Sequence, residues 1–306
     1  MRALVSSSEP PHAELADVAE PSPLPDEAVV SVRAVSLNRG EVRRLERMEP
    51  GVIAGWDLAG TVSRPAADGS GPPAGARVVG LKLSGAWAEQ VAVSTEYLAE
   101  LPDGISLEQA ATLPVAGLTA LRSLEIGGLV LGKRVLVTGA SGGVGHFAIQ
   151  LARLAGAHVT GVARRSEGLR ELGANEVLSE LSPHGDETFD VILDAVGGPV
   201  LGAALQRVAP RGTVVSFAAT VPEPVSYPTR ELFSRASGAA LYGLYIFDEL
   251  QHTRSASRDL RRLADLVAAG RLDPQIDVTL PWTEAAEALQ GLLDRKVAGK
   301  AVLTVG

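Results

Sequence analysis

The apolar positions of this chain change rhythm partway along. Ahead of Pro114 they fall in short valine-rich runs, Ala28 to Ser36, Gly60 to Ser63, Arg77 to Gly80 and Glu89 to Val93, separated by proline and glycine. Such runs predict strands joined by turns, with Ala66 to Pro73 as an exposed loop and an all-β, barrel-like first part. After Pro114, helical and strand patterns alternate. Helices are expected at Leu118 to Leu124, Val144 to Ala155, Glu167 to Leu172 and Val200 to Val208. Between them come strands at Val135, His158, Val191 to Leu193 and Thr213 to Phe217. This alternation predicts a doubly wound parallel sheet. An apolar segment, Ala239 to Phe247, reads as the last internal strand. The chain then continues with a helix over Ser257 to Ala269, a strand at Ile276 to Val278, a helix over Glu284 to Leu293 and a strand over Ala301 to Val305.

One stretch adds chemistry to that pattern. The strand Val135-Leu136-Val137-Thr138 runs into Gly139 and then Ala140-Ser141-Gly142-Gly143-Val144-Gly145 before the helix. A strand, a glycine turn and a helix in this order form the crossover that binds a dinucleotide pyrophosphate. Gly142 allows close approach of the backbone, Gly145 lets the helix pack on the strand, and the helix N-terminus faces the phosphates. Ala140 stands where the fingerprint has its first glycine.

The next strand, around His158 to Val162, ends in Ala163-Arg164-Arg165-Ser166. NAD-binding folds usually place an acid here for the ribose 2′-hydroxyl. Two guanidiniums and a hydroxyl suit a 2′-phosphate instead, through charge-assisted hydrogen bonds. An Arg-Arg pair is ordinarily a solvated helix start, but at this strand end, with the acid missing, it points to NADPH.

With 306 residues, 46% hydrophobic and 21% charged, the chain is expected to form two globular domains. The net charge of −8 gives no reason to expect nucleic acid or an anionic membrane as a partner. Neither a secretion leader nor an apolar run long enough to span a membrane is evident, so the cytoplasm is the expected location. There are no cysteines, and the five histidines are scattered, so no metal is expected.

Three other enzyme classes fail on spacing. Gly127 to Lys133 satisfies G-x-x-x-x-G-K, but Arg134 replaces the Ser or Thr of a P-loop and the strand follows the loop instead of preceding it. Tyr97, Tyr227, Tyr242 and Tyr245 lack the lysine four residues on that a short-chain dehydrogenase uses. No G-x-S-x-G elbow is present.

Five ordered blocks span the chain: Ser36-Leu37-Asn38-Arg39-Gly40-Glu41; Gly55-Trp56-Asp57-Leu58-Ala59-Gly60; Ala110 to Pro114 with Gly117-Leu118-Thr119-Ala120; Asp194-Ala195-Val196-Gly197-Gly198; and Gly299-Lys300-Ala301-Val302-Leu303. With the glycine turn, they make the chain resemble the zinc-free medium-chain dehydrogenase/reductases, specifically the quinone oxidoreductase (ζ-crystallin-like) family. The resemblance implies an α/β chain: a GroES-like β-rich barrel domain at 1–117, completed by 251–306, and a Rossmann NADPH-binding domain at 118–250.

It also implies roles. Asn38 would lie beside the nicotinamide ribose and substrate as the catalytic residue, and Thr119 near the nicotinamide. Ala140, Ser141, Gly142, Gly143 and Val144 would form the pyrophosphate loop. Arg164, Arg165, Ser166 and Arg295 would serve the 2′-phosphate. Val196, Phe217 and Ala218 follow central strands, and Tyr245, Ile246 and Phe247 would line the nicotinamide. Trp56 and Asp57 read as structural. The stretch Arg43 to Pro50 lacks the tyrosine of some relatives, which leaves the proton donor open, and the adenine-end aromatic is replaced around Ser179-Glu180.

The activity implied is NADPH-dependent hydride transfer to a quinone or an α,β-unsaturated carbonyl. The alternatives are reduction or cyclisation of a polyketide-like biosynthetic intermediate, and a non-catalytic NADPH-binding or structural protein. Relatives that dimerise through the cofactor-domain sheet imply a homodimer, with Ala239 to Phe247 as the intersubunit strand.

Overall fold

The valine-rich run at Glu27–Leu37 forms the longest strand of the first unit, and it is buried over most of its length because it is paired on both sides. The structure, a computed structural model, describes every residue from Met1 to Gly306. It divides into two units, Met1–Leu118 with Leu250–Gly306, and Thr119–Glu249.

In the first unit β1 (Arg2–Ser6) and β2 (Ala13–Asp17) form an antiparallel pair. β3 (Glu27–Leu37), β4 (Asp57–Arg64), β5 (Arg77–Leu81), β6 (Gln90–Ser94) and β7 (Leu98–Glu100) build an antiparallel sheet. α1 (Arg39–Leu45) follows β3 directly, and α2 (Leu107–Ala111) starts at a capping box. There Ser106 Oγ accepts from Gln109 N at 3.1 Å and Gln109 Oε1 accepts from Ser106 N at 3.0 Å.

In the second unit the order is α3 (Leu118–Gly127), β8 (Arg134–Thr138), α4 (Gly143–Leu154), β9 (His158–Val162), β10 (Glu176–Leu178), β11 (Phe189–Asp194), α5 (Gly198–Gln206), β12 (Val208–Ser216), α6 (Glu231–Ser234) and β13 (Ala240–Gly243). The chain re-enters the first unit through α7 (Ile246–Thr253), α8 (Ala256–Ala268), β14 (Ile276–Pro281), α9 (Ala285–Leu293) and β15 (Lys300–Thr304). β15 pairs antiparallel with β3, Ala301 opposite Leu37, so the C-terminus completes the first sheet. Trp282, just before α9, is buried in the same core as Leu4, Leu58 and Trp87.

The second unit holds a six-stranded, all-parallel sheet in the order β10-β9-β8-β11-β12-β13. Counted within the unit, that is 3-2-1-4-5-6, the order of a dinucleotide-binding doubly wound sheet. Its central strands read as continuous apolar runs because both faces are covered: Leu136, Phe189, Ile192 and Val214 lie in one buried cluster. The chain is therefore an α/β protein with a barrel-like β-rich unit and a doubly wound unit.

Two expected elements differ. Glu167 to Leu172 forms turns, because Gly168, with φ of 75°, lies in the left-handed region and interrupts the helix. The run Ala239 to Phe247 is a strand only over Ala240–Gly243, and Ile246 opens α7. No helix is long and apolar enough to cross a membrane.

Candidate cofactor and active site

The order of the parallel sheet reverses between β8 and β11, and ligands of such sheets bind beyond the carboxyl ends of the strands at this reversal. β8 ends at Thr138 and hands over to a tight turn in which Gly142 N donates to Gly139 O at 3.0 Å. Gly139 has a φ of 63°, and Gly142 is the extended residue that starts α4. The first bond within α4 runs from His146 N to Gly142 O at 3.0 Å, so the amides of Gly143, Val144 and Gly145 precede the helix's own ladder. A Cβ at Gly145 would meet the carbonyl oxygens of Gly139 and Ala140, both at 2.6 Å. The residue type is therefore set by how closely the helix packs on the turn. Ala140 is fully buried beneath the turn, Gly142 is exposed, and Ser141, Gly143 and Val144 are half-buried.

At the end of the neighbouring β9, Ala163 is held by its N–H to Leu178 O at 3.0 Å, and Arg164, Arg165 and Ser166 emerge exposed. The fit to a phosphorylated dinucleotide is direct: free helix-start amides at one strand end, two guanidiniums and a hydroxyl at the next, and no carboxylate among residues 163–166.

A buried carboxylate sits at the end of β11. Asp194 Oδ1 accepts from Thr138 Oγ1 at 2.6 Å and from Val196 N at 3.3 Å. Its Oδ2 accepts from Gly197 N at 3.0 Å and Ser216 Oγ at 3.4 Å. Val196 and Phe217 are half-buried on the turns after β11 and β12, and Ala218 is exposed. Thr119 is buried near the start of α3, Ile246 is buried, Phe247 half-buried, and Tyr245 exposed. The tilted ring pair Tyr245–Phe247 has centroids 5.6 Å apart.

The first unit carries a second polar cluster, built around Asn38 at the start of α1. Asn38 Nδ2 donates to Glu41 Oε1 at 2.9 Å and to Asp57 Oδ2 at 2.7 Å, while Oδ1 accepts from Lys300 Nζ at 2.7 Å. Lys300 also donates to Leu37 O at 3.0 Å. Asp57 Oδ1 accepts from Val115 N at 3.0 Å, and Glu41 Oε1 from Asn38 N at 2.7 Å. The amide orientation follows from charge, since the flipped form would set its oxygen against two carboxylates. Both amide hydrogens are thus committed, and Oδ1 accepts from the Lys300 ammonium.

Glu41, Asp57 and Lys300 are all buried. Burial pushes Asp57 up to about 6, against the lowering effect of the Lys300 ammonium and the Asn38 and Val115 hydrogen bonds. Glu41 is raised well above the usual range by burial and by the Asp57 charge. Burial lowers Lys300, and the two carboxylates oppose that. Arg295 belongs to this unit too: it is exposed after α9, with φ of 61° and its N–H on Leu292 O at 3.3 Å.

The structure therefore places Ala140 to Val144, Arg164 to Ser166, Val196, Phe217 and Ala218 on turns that follow parallel strands of one sheet. Asn38 and Arg295 lie in the other unit. Sequence reasoning missed Thr138 and Asp194 as partners, and it missed Glu41 and Lys300 around Asn38. The available signal was a polar residue closing an otherwise apolar strand, since a buried charge requires a partner.

A barrel-like β-rich unit joined on one chain to a 3-2-1-4-5-6 sheet with a glycine turn defines a medium-chain dehydrogenase/reductase fold. Residues 24–103 match the alcohol dehydrogenase GroES-like domain, and residues 172–303 match the zinc-binding dehydrogenase family. The chloroplast envelope quinone oxidoreductase homolog of Arabidopsis thaliana is 30% identical over 315 residues, which span 95% of this chain and 93% of that protein. Acryloyl-coenzyme A reductase of Metallosphaera sedula is 27% identical over 340 residues, 99% of this chain and 100% of that one. The crystal structure of an alcohol dehydrogenase superfamily protein from Novosphingobium aromaticivorans superposes with a TM-score of 0.89 at 29% identity, covering 100% of both chains. The chain belongs to the medium-chain dehydrogenase/reductase family, in its quinone oxidoreductase-like branch.

The donor set does not fit the zinc of the matching family's description. Cysteine is absent, and no three His, Asp or Glu side chains are grouped to hold a metal ion. The cation facing Asn38 and Asp57 is the Lys300 ammonium.

Proposed function

We propose that the protein is an NADPH-dependent, zinc-independent reductase that transfers a hydride to a quinone or an α,β-unsaturated carbonyl compound. The observation that carries the reading is the pairing of an open glycine turn after β8 with exposed Arg164, Arg165 and Ser166 after β9. NADPH would supply the hydride. Gly142, Gly143 and Val144 bind the pyrophosphate through backbone amides, and the arginine pair and Ser166 bind the 2′-phosphate. Ala140, Ser141, Thr119, Val196, Phe217, Ala218, Tyr245, Ile246 and Phe247 complete the cofactor site, and Arg295 is a further phosphate contact.

Asn38 acts as an acceptor through Oδ1, which the Lys300 ammonium holds in place and which suits a ribose or substrate hydroxyl. Both its amide hydrogens are engaged, so the donor for the developing enolate or hydroquinone oxygen comes from elsewhere, and water delivers the proton. The acceptor class is supported by the relatives, one named for quinone oxidoreduction and one for acryloyl thioester reduction. Purified protein mixed with NADPH and a panel of quinones, enones and enoyl thioesters should oxidise NADPH with at least one acceptor, and more slowly with NADH. Loss of neither cofactor with any acceptor overturns the reading.

A homodimer through β13 is part of the same proposal. β13 is an edge strand whose four residues are all exposed, Leu241 at 55% and Tyr242 at 40%, and such an edge readily pairs with a second copy. Sedimentation that returns only monomer at working concentration contradicts it.

A further inference from the structure

Three strand ends meet on one side chain. Thr138 closes β8, Asp194 closes β11 and Ser216 closes β12, and both hydroxyls donate to the Asp194 carboxylate. Thr138 and Asp194 are fully buried. The contacts are not confined to side chains: Val196 N and Gly197 N, in the turn after β11, also point at that carboxylate. The Thr138 hydroxyl works in both directions, accepting from Ala195 N at 3.1 Å while donating to Asp194. The Asp194 carbonyl receives Phe217 N at 3.0 Å, and Val196 O receives Thr220 N at 2.9 Å, so the turn after β12 is tied to the turn after β11. The turn after β8 touches the same place, since a Cβ at Gly139 would lie 3.1 Å from Ala195 Cβ.

Folding alone does not ask for this arrangement. A buried ionised carboxylate is costly unless it is fully hydrogen-bonded, and an apolar pair at Thr138 and Asp194 would serve an ordinary strand core more cheaply. What the carboxylate supplies is fixed geometry. Two of its donors are backbone amides of one turn, and the other two are hydroxyls whose main chains run straight into the glycine turn and into Phe217-Ala218. These are the turns at the order reversal of the sheet, where a bound dinucleotide lies.

We propose that Asp194 is a positioning residue for the dinucleotide site. Through Thr138, the 195–197 turn and Ser216, it locks three loops into the one spacing that accepts the nicotinamide half of the cofactor. It touches no ligand itself. The inference rests on the NADPH reading above and adds to it a cause for the shape of the nicotinamide end. The loop carrying Arg164 and Arg165 receives no bond from Asp194, so adenosine 2′-phosphate recognition is independent of it.

The test compares two probes on the full chain: NADPH, and adenosine 2′-monophosphate, which has the 2′-phosphate and adenine but neither the pyrophosphate nor the nicotinamide. Dissociation constants are measured by calorimetry for the wild type, Asp194→Asn, Thr138→Val and Thr138→Ser, with the melting temperature of each unliganded protein alongside. Asp194→Asn puts an amide, a donor, where two donors converge, and Thr138→Val removes the hydroxyl at nearly constant volume. Both should weaken NADPH by about tenfold or more, the loss expected for a charge-assisted hydrogen bond, while adenosine 2′-monophosphate changes by less than about threefold. Thr138→Ser keeps the hydroxyl and should restore NADPH binding.

Equal weakening of both probes, or no weakening of NADPH in the well-folded Thr138→Val, overturns the positioning role. Failure of Thr138→Ser to restore binding does the same, because side-chain volume and not the hydroxyl would then be responsible. If the wild type binds neither probe, the NADPH reading itself falls and takes this inference with it.

Discussion

Lys300 Nζ donates to Asn38 Oδ1 at 2.7 Å across 262 positions of sequence, joining β15 to the start of α1. The ammonium stands 3.9 Å from Asp57 Oδ2 and gives a cation to a site that buries two acids. Lys300→Met keeps the chain length and volume but leaves Asp57 and Asn38 Oδ1 without their cationic partner. Breaking a buried pair in this way costs about 3–5 kcal/mol. The urea midpoint should fall accordingly with an unchanged slope. A loss under about 1 kcal/mol would mean that the cluster contributes little to the fold.

The same cluster fixes how stability depends on pH. Asp57 titrates at about 6 in the fold, against an ordinary value of 3.8. Between those values the folded chain binds the proton more tightly than the unfolded chain does, so stability falls as pH rises through the window. A shift of this size is worth on the order of 3 kcal/mol. Glu41, also raised, acts in the same direction and is coupled to Asp57, so the two titrate as a pair. Urea unfolding at a series of pH values should show this downward slope for the wild type and lose much of it in Asp57→Asn. Parallel profiles for the two proteins would contradict the assignment.

The arginine pair predicts a cofactor ratio. Replacing both Arg164 and Arg165 by Ala should weaken NADPH far more than NADH, since each charged contact contributes about 1.5–3 kcal/mol. Both side chains are exposed on a turn, so the fold should melt at nearly the wild-type temperature. Equal losses for the two cofactors would place the 2′-phosphate elsewhere.

How legible these features were depended on the range of the forces behind them. The doubly wound sheet could be read because its strands are local apolar runs punctuated by glycine: β8, β9 and β11 lie where the pattern put them, and β12 covers most of its expected run but begins upstream at Val208. β10 escaped notice because three half-buried residues carry no periodicity. The turns at Glu167 to Leu172 were mistaken for a helix because the left-handed Gly168 looks the same in sequence as a tolerated helix glycine. The Asn38 cluster shows the deeper limit. Asn38, Asp57 and Lys300 each sit in a recognisable block, yet their pairing depends on which strands become neighbours. β15 lies beside β3 and β3 beside β4, and only that register brings acid, amide and ammonium together.

Two glycines of the turn after β8 separate fold from function. A Cβ at Gly145 would lie 2.6 Å from two carbonyl oxygens of the rigid turn, which have nowhere to move. Gly145→Ala should therefore destabilise the chain by about 1–3 kcal/mol, as overpacking does, and cofactor binding should suffer with it. Gly142 differs: its Cβ would meet only Gly139 O, at 3.3 Å, and the residue is exposed in an extended conformation that any side chain adopts. Gly142→Ala should melt close to the wild type. If the pyrophosphate lies against this turn, the added methyl nonetheless occupies the space where the phosphate approaches the backbone, and NADPH should bind several-fold more weakly. Calorimetric titration with thermal melting of both variants distinguishes the cases. A Gly142→Ala protein that is stable and binds NADPH as the wild type does would move the phosphate away from the turn.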